Sequence, residues 1–212
     1  MPTSAETLLS YARLAPVIPV VTIEDARHGI DLAQTLVGAG LPVVEVTLRT
    51  AAALDAIAAI AKAVPEAVVA AGTITAPSQI AEVADAGARF IVTPGTPIRL
   101  AEALAEAPIP VMPGCATVME AMTLMAIGFE ALKFFPAAAS GGIAWLKGVH
   151  GPLPKLSFCP TGGIDLANAP TYLALPNVVC VGGTWVAPAQ AIADGAFDTI
   201  GRLAREAAGL RR

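Results

Sequence analysis

Lysine is scarce in this chain of 212 residues: Lys62, Lys133, Lys147 and Lys155 are the whole set. Three of them lie in helical or loop contexts. Lys133 instead lies inside an apolar run, Ala131-Leu132-Lys133-Phe134-Phe135-Pro136, where an ammonium group is costly to bury. Desolvation favours the neutral amine, which is the form that attacks a carbonyl. Catalytic lysines are tuned to a pKa of about 7–8. The second chemistry-bearing segment is Glu45-Val46-Thr47-Leu48-Arg49, in which strand alternation puts Glu45, Thr47 and Arg49 on one face. A carboxylate desolvated among valines has its pKa raised toward the proton-transfer range. An arginine fork beside it suits a substrate carboxylate, which it can grip through two parallel hydrogen bonds. The structural alternatives are a Lys133 that snorkels from a strand end or pairs with a glutamate, and a Glu45–Arg49 salt bridge.

Positioning these groups requires strands. Short apolar runs rich in Val and Ile recur at Val17–Val21, Val43–Leu48, Ala67–Ala71, Phe90–Val92, Ile109–Met112, Ala131–Phe134, Leu156–Cys159 and Val178–Val181. Most are apolar on both faces, as buried parallel strands are. Ala-rich segments of helical character alternate with them, most clearly Asp25–Val37, Ala51–Ala63, Pro77–Ala86, Pro97–Ala105 and Val118–Ile127. Gly38-Ala39-Gly40, Ala86-Gly87-Ala88 and Gly128 supply C-terminal glycines. A shorter helix is expected around Gly142–Val149, and Ala5–Leu14 forms an extra N-terminal helix able to plug a barrel end. Eight strand–helix units predict an α/β protein, a (β/α)8 TIM barrel with an additional N-terminal helix, as one domain over residues 1–212. The competing open doubly wound sheet lacks its GxGxxG after the first strand.

Such barrels carry their chemistry at the C-terminal ends of the strands. Besides Glu45, Arg49 and Lys133, that rule selects Ala71-Gly72-Thr73, Thr93-Pro94-Gly95, Met112-Pro113-Gly114, Cys159-Pro160-Thr161-Gly162-Gly163 and Val181-Gly182-Gly183-Thr184. The glycine pairs after the last two strands leave backbone N–H groups open to an anion, at the place where these barrels often bind phosphate. A glycine pair that only makes a tight turn is the alternative.

Composition narrows the field. The chain is 55% hydrophobic and 14% charged, with a mean hydropathy of +0.67. Asp55 and Lys62 interrupt one of the longest apolar stretches, and Glu120 with Pro113-Gly114 another. No run of about 18 uncharged apolar residues remains for a spanning helix. Glu6 and Arg13 do not make a secretory signal, and no membrane partner is expected. A net charge of −4 argues against nucleic-acid binding. Cys115, Cys159 and Cys180, without a CxxC, fit a reduced cytoplasmic protein. His28 and His150 stand far apart, so no metal site is expected. Neither lies at a strand end, which disfavours an isomerase that polarises a carbonyl with histidine.

Together, Glu45-Val-Thr-Leu-Arg49-Thr50, Ala71-Gly-Thr73, Lys133-Phe-Phe-Pro136-Ala137, Phe158-Cys-Pro-Thr161-Gly-Gly-Ile164 and Val181-Gly-Gly-Thr184-Trp185 resemble the 2-keto-3-deoxy-6-phosphogluconate (KDPG) and 4-hydroxy-2-oxoglutarate (KHG) aldolase family. The resemblance runs from about Leu14 to Arg205 in order and spacing. It implies a class I aldolase, a homotrimer without cofactor, acting in the Entner–Doudoroff pathway. The implied reaction cleaves KDPG, a phosphorylated 2-keto acid, to pyruvate and glyceraldehyde 3-phosphate, and KHG to pyruvate and glyoxylate. By the same resemblance Lys133 is the Schiff-base lysine and Glu45 the general acid/base. Arg49 and Thr73 hold the pyruvoyl carboxylate, Thr161 lies near the reacting hydroxyl, and Gly162, Gly163, Gly183 and Thr184 take the phosphate. The chain departs from the family pattern at Ala138, usually glutamate, and at Thr184, more often serine. The alternatives are the aldolase for the galactonate epimer and a non-catalytic barrel that binds a sugar phosphate.

Overall fold

The computed structural model describes residues 4–210; the expected single domain also includes residues 1–3 and 211–212, which lie outside them. Among the described residues nine short strands form in order: β1 (Val17–Val21), β2 (Val43–Thr47), β3 (Val68–Gly72), β4 (Phe90–Val92), β5 (Val111–Met112), β6 (Gly114–Cys115), β7 (Ala131–Phe134), β8 (Ser157–Pro160) and β9 (Val181–Gly183). Around them run α1 (Ser4–Ala12), α2 (Arg27–Gly38), α3 (Ala53–Ala63), α4 (Gln79–Asp85), α5 (Ile98–Ala105), α6 (Val118–Ile127), α7 (Gly142–His150), α8 (Ala169–Leu173), α9 (Ala189–Ala193) and α10 (Phe197–Ala208).

Every pairing between these strands is parallel. One arc runs β9-β1-β2-β3-β4-β5 and a second runs β6-β7-β8. The bridges Phe158–Val178 and Thr161–Gly182 join the second arc back to the first, so the sheet closes on itself. Eight staves result, because β5 and β6 are one stave broken at Pro113. A proline has no N–H to offer a ladder, and the chain changes neighbour there: β5 pairs with β4, β6 with β7.

A ring of hydroxyls seals this break. Gly114 N–H donates to Thr93 Oγ1 at 2.8 Å, and Thr96 Oγ1 donates to the Gly114 carbonyl at 2.9 Å. The Thr96 proton is thereby committed, so the 2.8 Å contact between the two hydroxyls is donated by Thr93. Thr93 is fully buried. Thr93→Val keeps the shape but strands the Gly114 N–H, and is expected to cost about 1–3 kcal/mol. Urea unfolding reads this directly; an unchanged midpoint would show that the ring contributes nothing.

The strands are apolar on both faces because both faces are covered: all of β1 and β2 is buried. An outer core packs strands against helices, with Leu32, Ile57, Ile60, Leu104 and Leu146 among its members. An inner core fills the barrel with Ile18, Val43, Ala70, Phe90, Met112 and Ala131, and α1 closes it through Leu8 and Ala12. Tyr11 on α1 stacks on Phe90 at 6.1 Å between centroids and accepts a hydrogen bond from Arg89. The N-terminal helix therefore plugs the N-terminal end of the barrel, and the opposite mouth is left for chemistry. Gly40, Gly87 and Gly128 follow α2, α4 and α6 with positive φ, as their positions predict. The last stave differs from expectation. Val178 makes only an isolated bridge, and the ladder to β1 starts at Val181.

Candidate active site

Glu45 and Lys133 face the barrel interior at one level. Glu45 is in register with Val20 and Ala70, while Lys133 is in register with Gly114 and Cys159. Across the barrel, Lys133 Nζ donates to Glu45 Oε1 at 2.8 Å and to Oε2 at 3.2 Å. Both residues are buried, 5% and 4% exposed. Lys133 thus takes up the glutamate pairing that is one of its structural alternatives, and Glu45 pairs with Lys133 rather than Arg49. A buried ion pair is not by itself a stabilising device, since apolar groups of equal volume often serve as well. Its geometry is chemically apt: the carboxylate is within reach to take the ammonium proton and free a nucleophilic amine. Lys133 Nζ also lies 5.5 Å from the Phe135 ring centroid, on the apolar side expected from Phe134-Phe135.

The carboxylate fits there because β3 ends in glycine. A Cβ on Gly72 would lie 2.6 Å from Glu45 Cγ and closer still to Oε1. Gly72→Ala is therefore expected to push Glu45 aside and lower turnover by about 10²-fold or more, with the fold retained. Steady-state kinetics beside circular dichroism test this, and near-normal turnover would mean that the carboxylate position is not critical.

Arg49 lies beyond the end of β2, in the turn that follows Thr47, and is exposed. Its Nε donates to Thr73 Oγ1 at 3.2 Å. Thr73 has φ of +63°, a conformation that costs a β-branched residue about 1–3 kcal/mol and tends to persist at functional positions. The pair sits at the mouth, at the ends of β2 and β3, which are registered through Thr47 and Gly72.

Thr161, directly after β8, is buried and loosely held, its hydroxyl 3.5 Å from the Cys159 carbonyl. Gly162 and Gly163 follow with φ of +98° and +74°. Successive residues of this kind turn backbone N–H groups toward a common concavity that suits an anion. Among the described residues, none accepts a hydrogen bond from the backbone N–H of Gly162, Gly163 or Thr184. Gly182 lies beside the Thr161 hydroxyl, Trp185 packs over Gly183, and Thr184 is exposed at the mouth. All nine residues singled out by sequence therefore lie at the same end of the barrel, on the staves of β2, β3, β7, β8 and β9. Ala138 packs against Gly163, within the turn that leads to α7.

Other candidates fall away. Trp145 stacks on Phe134 at 4.2 Å and meets Phe158 edge-on, as a packing residue does. His28 is half-buried, edge-on to Phe197. Burial pushes the Cys115 thiol up to about 12, helped by the nearby Glu120 carboxylate, so it is not a thiolate nucleophile at neutral pH. Among the described residues no cluster of three His, Cys, Asp or Glu side chains is placed to hold a metal ion. Two contributions escape the sequence: the gap left by Gly72 and a Thr22–Thr47 hydroxyl contact of 3.1 Å. The signs of the second are Thr47 on the face of Glu45 and a threonine just after the first strand, two positions beyond Val20.

Comparison with known proteins gives concordant results. Residues 8–203 match the family model described as "Aldolase: KDPG and KHG aldolase". The KHG/KDPG aldolase of Escherichia coli (strain K12) is 49% identical over 205 residues, covering 97% of this chain and 95% of the relative. The crystal structure of KDPG aldolase from Legionella pneumophila, with pyruvate captured at low pH as a covalent carbinolamine intermediate, superposes with a TM-score of 0.92. It is 41% identical, with 95% of this chain and 98% of that one covered. The KDPG aldolase of Zymomonas mobilis ZM4 with 3-phosphoglycerate has a TM-score of 0.91 and 39% identity, covering 99% and 98%.

Proposed function

The chain belongs to the KDPG and KHG aldolase family, and on that premise we propose that it is a class I aldolase cleaving KDPG to pyruvate and glyceraldehyde 3-phosphate, and KHG to pyruvate and glyoxylate. The observation that carries the reading is the buried contact between Lys133 Nζ and Glu45 Oε1 inside the barrel, below its C-terminal mouth. It joins an amine able to form a Schiff base to a carboxylate able to move protons.

The proposed sequence of steps follows from those two groups. Glu45 takes a proton from the ammonium, and the free Lys133 amine adds to the C2 ketone. Glu45 then gives that proton to the carbinolamine hydroxyl, which leaves as water; this restores the carboxylate and gives an iminium, whose positive charge is an electron sink. Glu45, directly or through one water, removes the C4 hydroxyl proton. The C3–C4 electron pair moves into an enamine, the C4 carbonyl forms, and the aldehyde departs. Glu45 returns the proton to C3, and water hydrolyses the iminium to release pyruvate. One carboxylate serves both proton transfers because it faces the same few atoms throughout.

In this reading Arg49 and Thr73 hold the C1 carboxylate. Arg49 already points its guanidinium at the Thr73 hydroxyl, and a bidentate grip would fix the C2 carbonyl against Lys133. Thr161 stands near the reacting hydroxyl. The N–H groups of Gly162 and Gly163, with Gly183 and the Thr184 hydroxyl, take the phosphate. The homotrimer usual in the family is part of the proposal. It is supported by an exposed apolar face on α5 and α6, where Met119 is 76% exposed beside Ile98, Val118 and Met122. A cytoplasmic location is likewise proposed, in keeping with three buried thiols. Among the described residues no helix is long and apolar enough to cross a membrane.

A lactate dehydrogenase-coupled assay on KDPG, its C4 epimer and KHG tests the reading. Pyruvate release from KDPG and KHG is expected. Thermal stabilisation by sugar phosphate without pyruvate release would contradict it and favour a binding barrel, and preference for the C4 epimer would reassign the substrate.

A further inference from the structure

We propose that Thr22 is a specificity-determining residue that accepts a hydrogen bond from the C5 hydroxyl of the phosphorylated substrate. The inference rests on the aldolase reading above. Thr22 follows β1 on the inward face, two residues beyond Val20, which is in register with Glu45. Two strand residues advance about 6–7 Å, so Thr22 stands one layer nearer the mouth than the Glu45–Lys133 pair. It is half-buried there, beside the fully buried Thr47.

The direction of its hydrogen bonds is determined. Thr47 Oγ1 donates its one proton to the Val21 carbonyl at 2.9 Å. The 3.1 Å contact between the Thr22 and Thr47 hydroxyls must then be donated by Thr22. With its proton committed, Thr22 offers only lone pairs to a ligand. It is a fixed acceptor for a hydroxyl and a poor neighbour for a carboxylate.

The order of the staves says which hydroxyl. β1 stands between β9 and β2, hence between the loop bearing Gly183-Thr184 and the stave bearing Glu45. Lys133 Nζ reaches across the barrel to Glu45 on β2, so a substrate bonded there through C2, with its C6 phosphate at the β8 and β9 loops, passes C4 and C5 in front of β1. Glu45 takes the C4 hydroxyl proton, which leaves the C5 hydroxyl as donor to Thr22. KHG carries a carboxylate at C5 and has no such donor.

The test compares kcat/KM for KDPG and KHG in the wild type, Thr22→Val and Thr22→Ser, with borohydride trapping of pyruvate as the control. Thr22→Val is expected to lose about tenfold on KDPG, to be unchanged or slightly improved on KHG, and to trap pyruvate normally. Thr22→Ser, which keeps the hydroxyl, retains KDPG activity. An equal loss on both substrates would show a general packing defect, and no loss on either would show that Thr22 does not read the substrate; both overturn the proposal. If Thr22→Val fails to trap pyruvate, Thr22→Ser decides: a serine variant that traps normally yet loses the preference for KDPG also overturns it. Failure of the wild type to trap pyruvate is a separate result, which overturns the aldolase reading itself.

Discussion

Replacing Lys133 by methionine is expected to abolish pyruvate release, lowering kcat by at least about 10⁴-fold. Without the amine there is no iminium, and nothing else at the site is placed to accept the electrons of the C3–C4 bond. The substitution also leaves the Glu45 carboxylate buried without its partner, a loss that typically costs about 3–5 kcal/mol. Stability and chemistry therefore have to be separated. Lys133→Met with Glu45→Leu removes both charges from a site where each is about 5% exposed. That double variant is expected to recover much of the stability and none of the activity. Recovery of activity with it would mean that neither residue is part of the mechanism.

Glu45→Gln is the second large effect. The amide keeps the shape and can still accept a hydrogen bond from Lys133 Nζ, but it cannot take a proton. A loss of about 10²–10⁴-fold in kcat is expected, the usual worth of a positioned general acid/base. The loss should fall on cleavage and on exchange of the pyruvate methyl protons alike, because one carboxylate serves both. KM should change little, since Arg49 and Thr73 hold the substrate carboxylate. Retention of methyl-proton exchange at the wild-type rate would assign that transfer to another group.

Much of the fold is legible in the sequence because a parallel barrel needs strands apolar on both faces, and eight such runs stand out. Where the reading stops, the reasons are physical. The break in the fifth stave depends on which neighbour needs the N–H that Pro113 lacks, and only the closed ring decides that. Helix α10 carries Asp198, Arg202, Arg205 and Glu206 among its apolar positions, so a search for apolar segments passes over it although Ile200, Ala204 and Ala207 are buried. Val178 reads as the start of the last strand, yet the ladder forms three residues later.

The site divides in the same way. Lys133 and Glu45 are conspicuous because a charge in an apolar run is costly. Their contact spans 88 positions, and alternation specifies which way a side chain faces, not what it meets across a barrel. Arg49 faces as alternation predicts in name only. The strand ends at Thr47, and the turn after it carries the guanidinium to Thr73. Gly72 matters for an atom it does not have, which no residue pattern can express. The family resemblance supplies the roles of Thr73, Thr161 and the phosphate-loop residues, which the residue types alone leave open.

The central claim is a Schiff base between pyruvate and Lys133. Incubation with pyruvate and borohydride, followed by intact-mass and peptide mass spectrometry, reads it directly. The account predicts one reduced pyruvyl adduct per chain, on the peptide bearing Lys133, absent from Lys133→Met. A protein that gains no pyruvyl mass under these conditions, or that carries it on Lys62, Lys147 or Lys155, would contradict it.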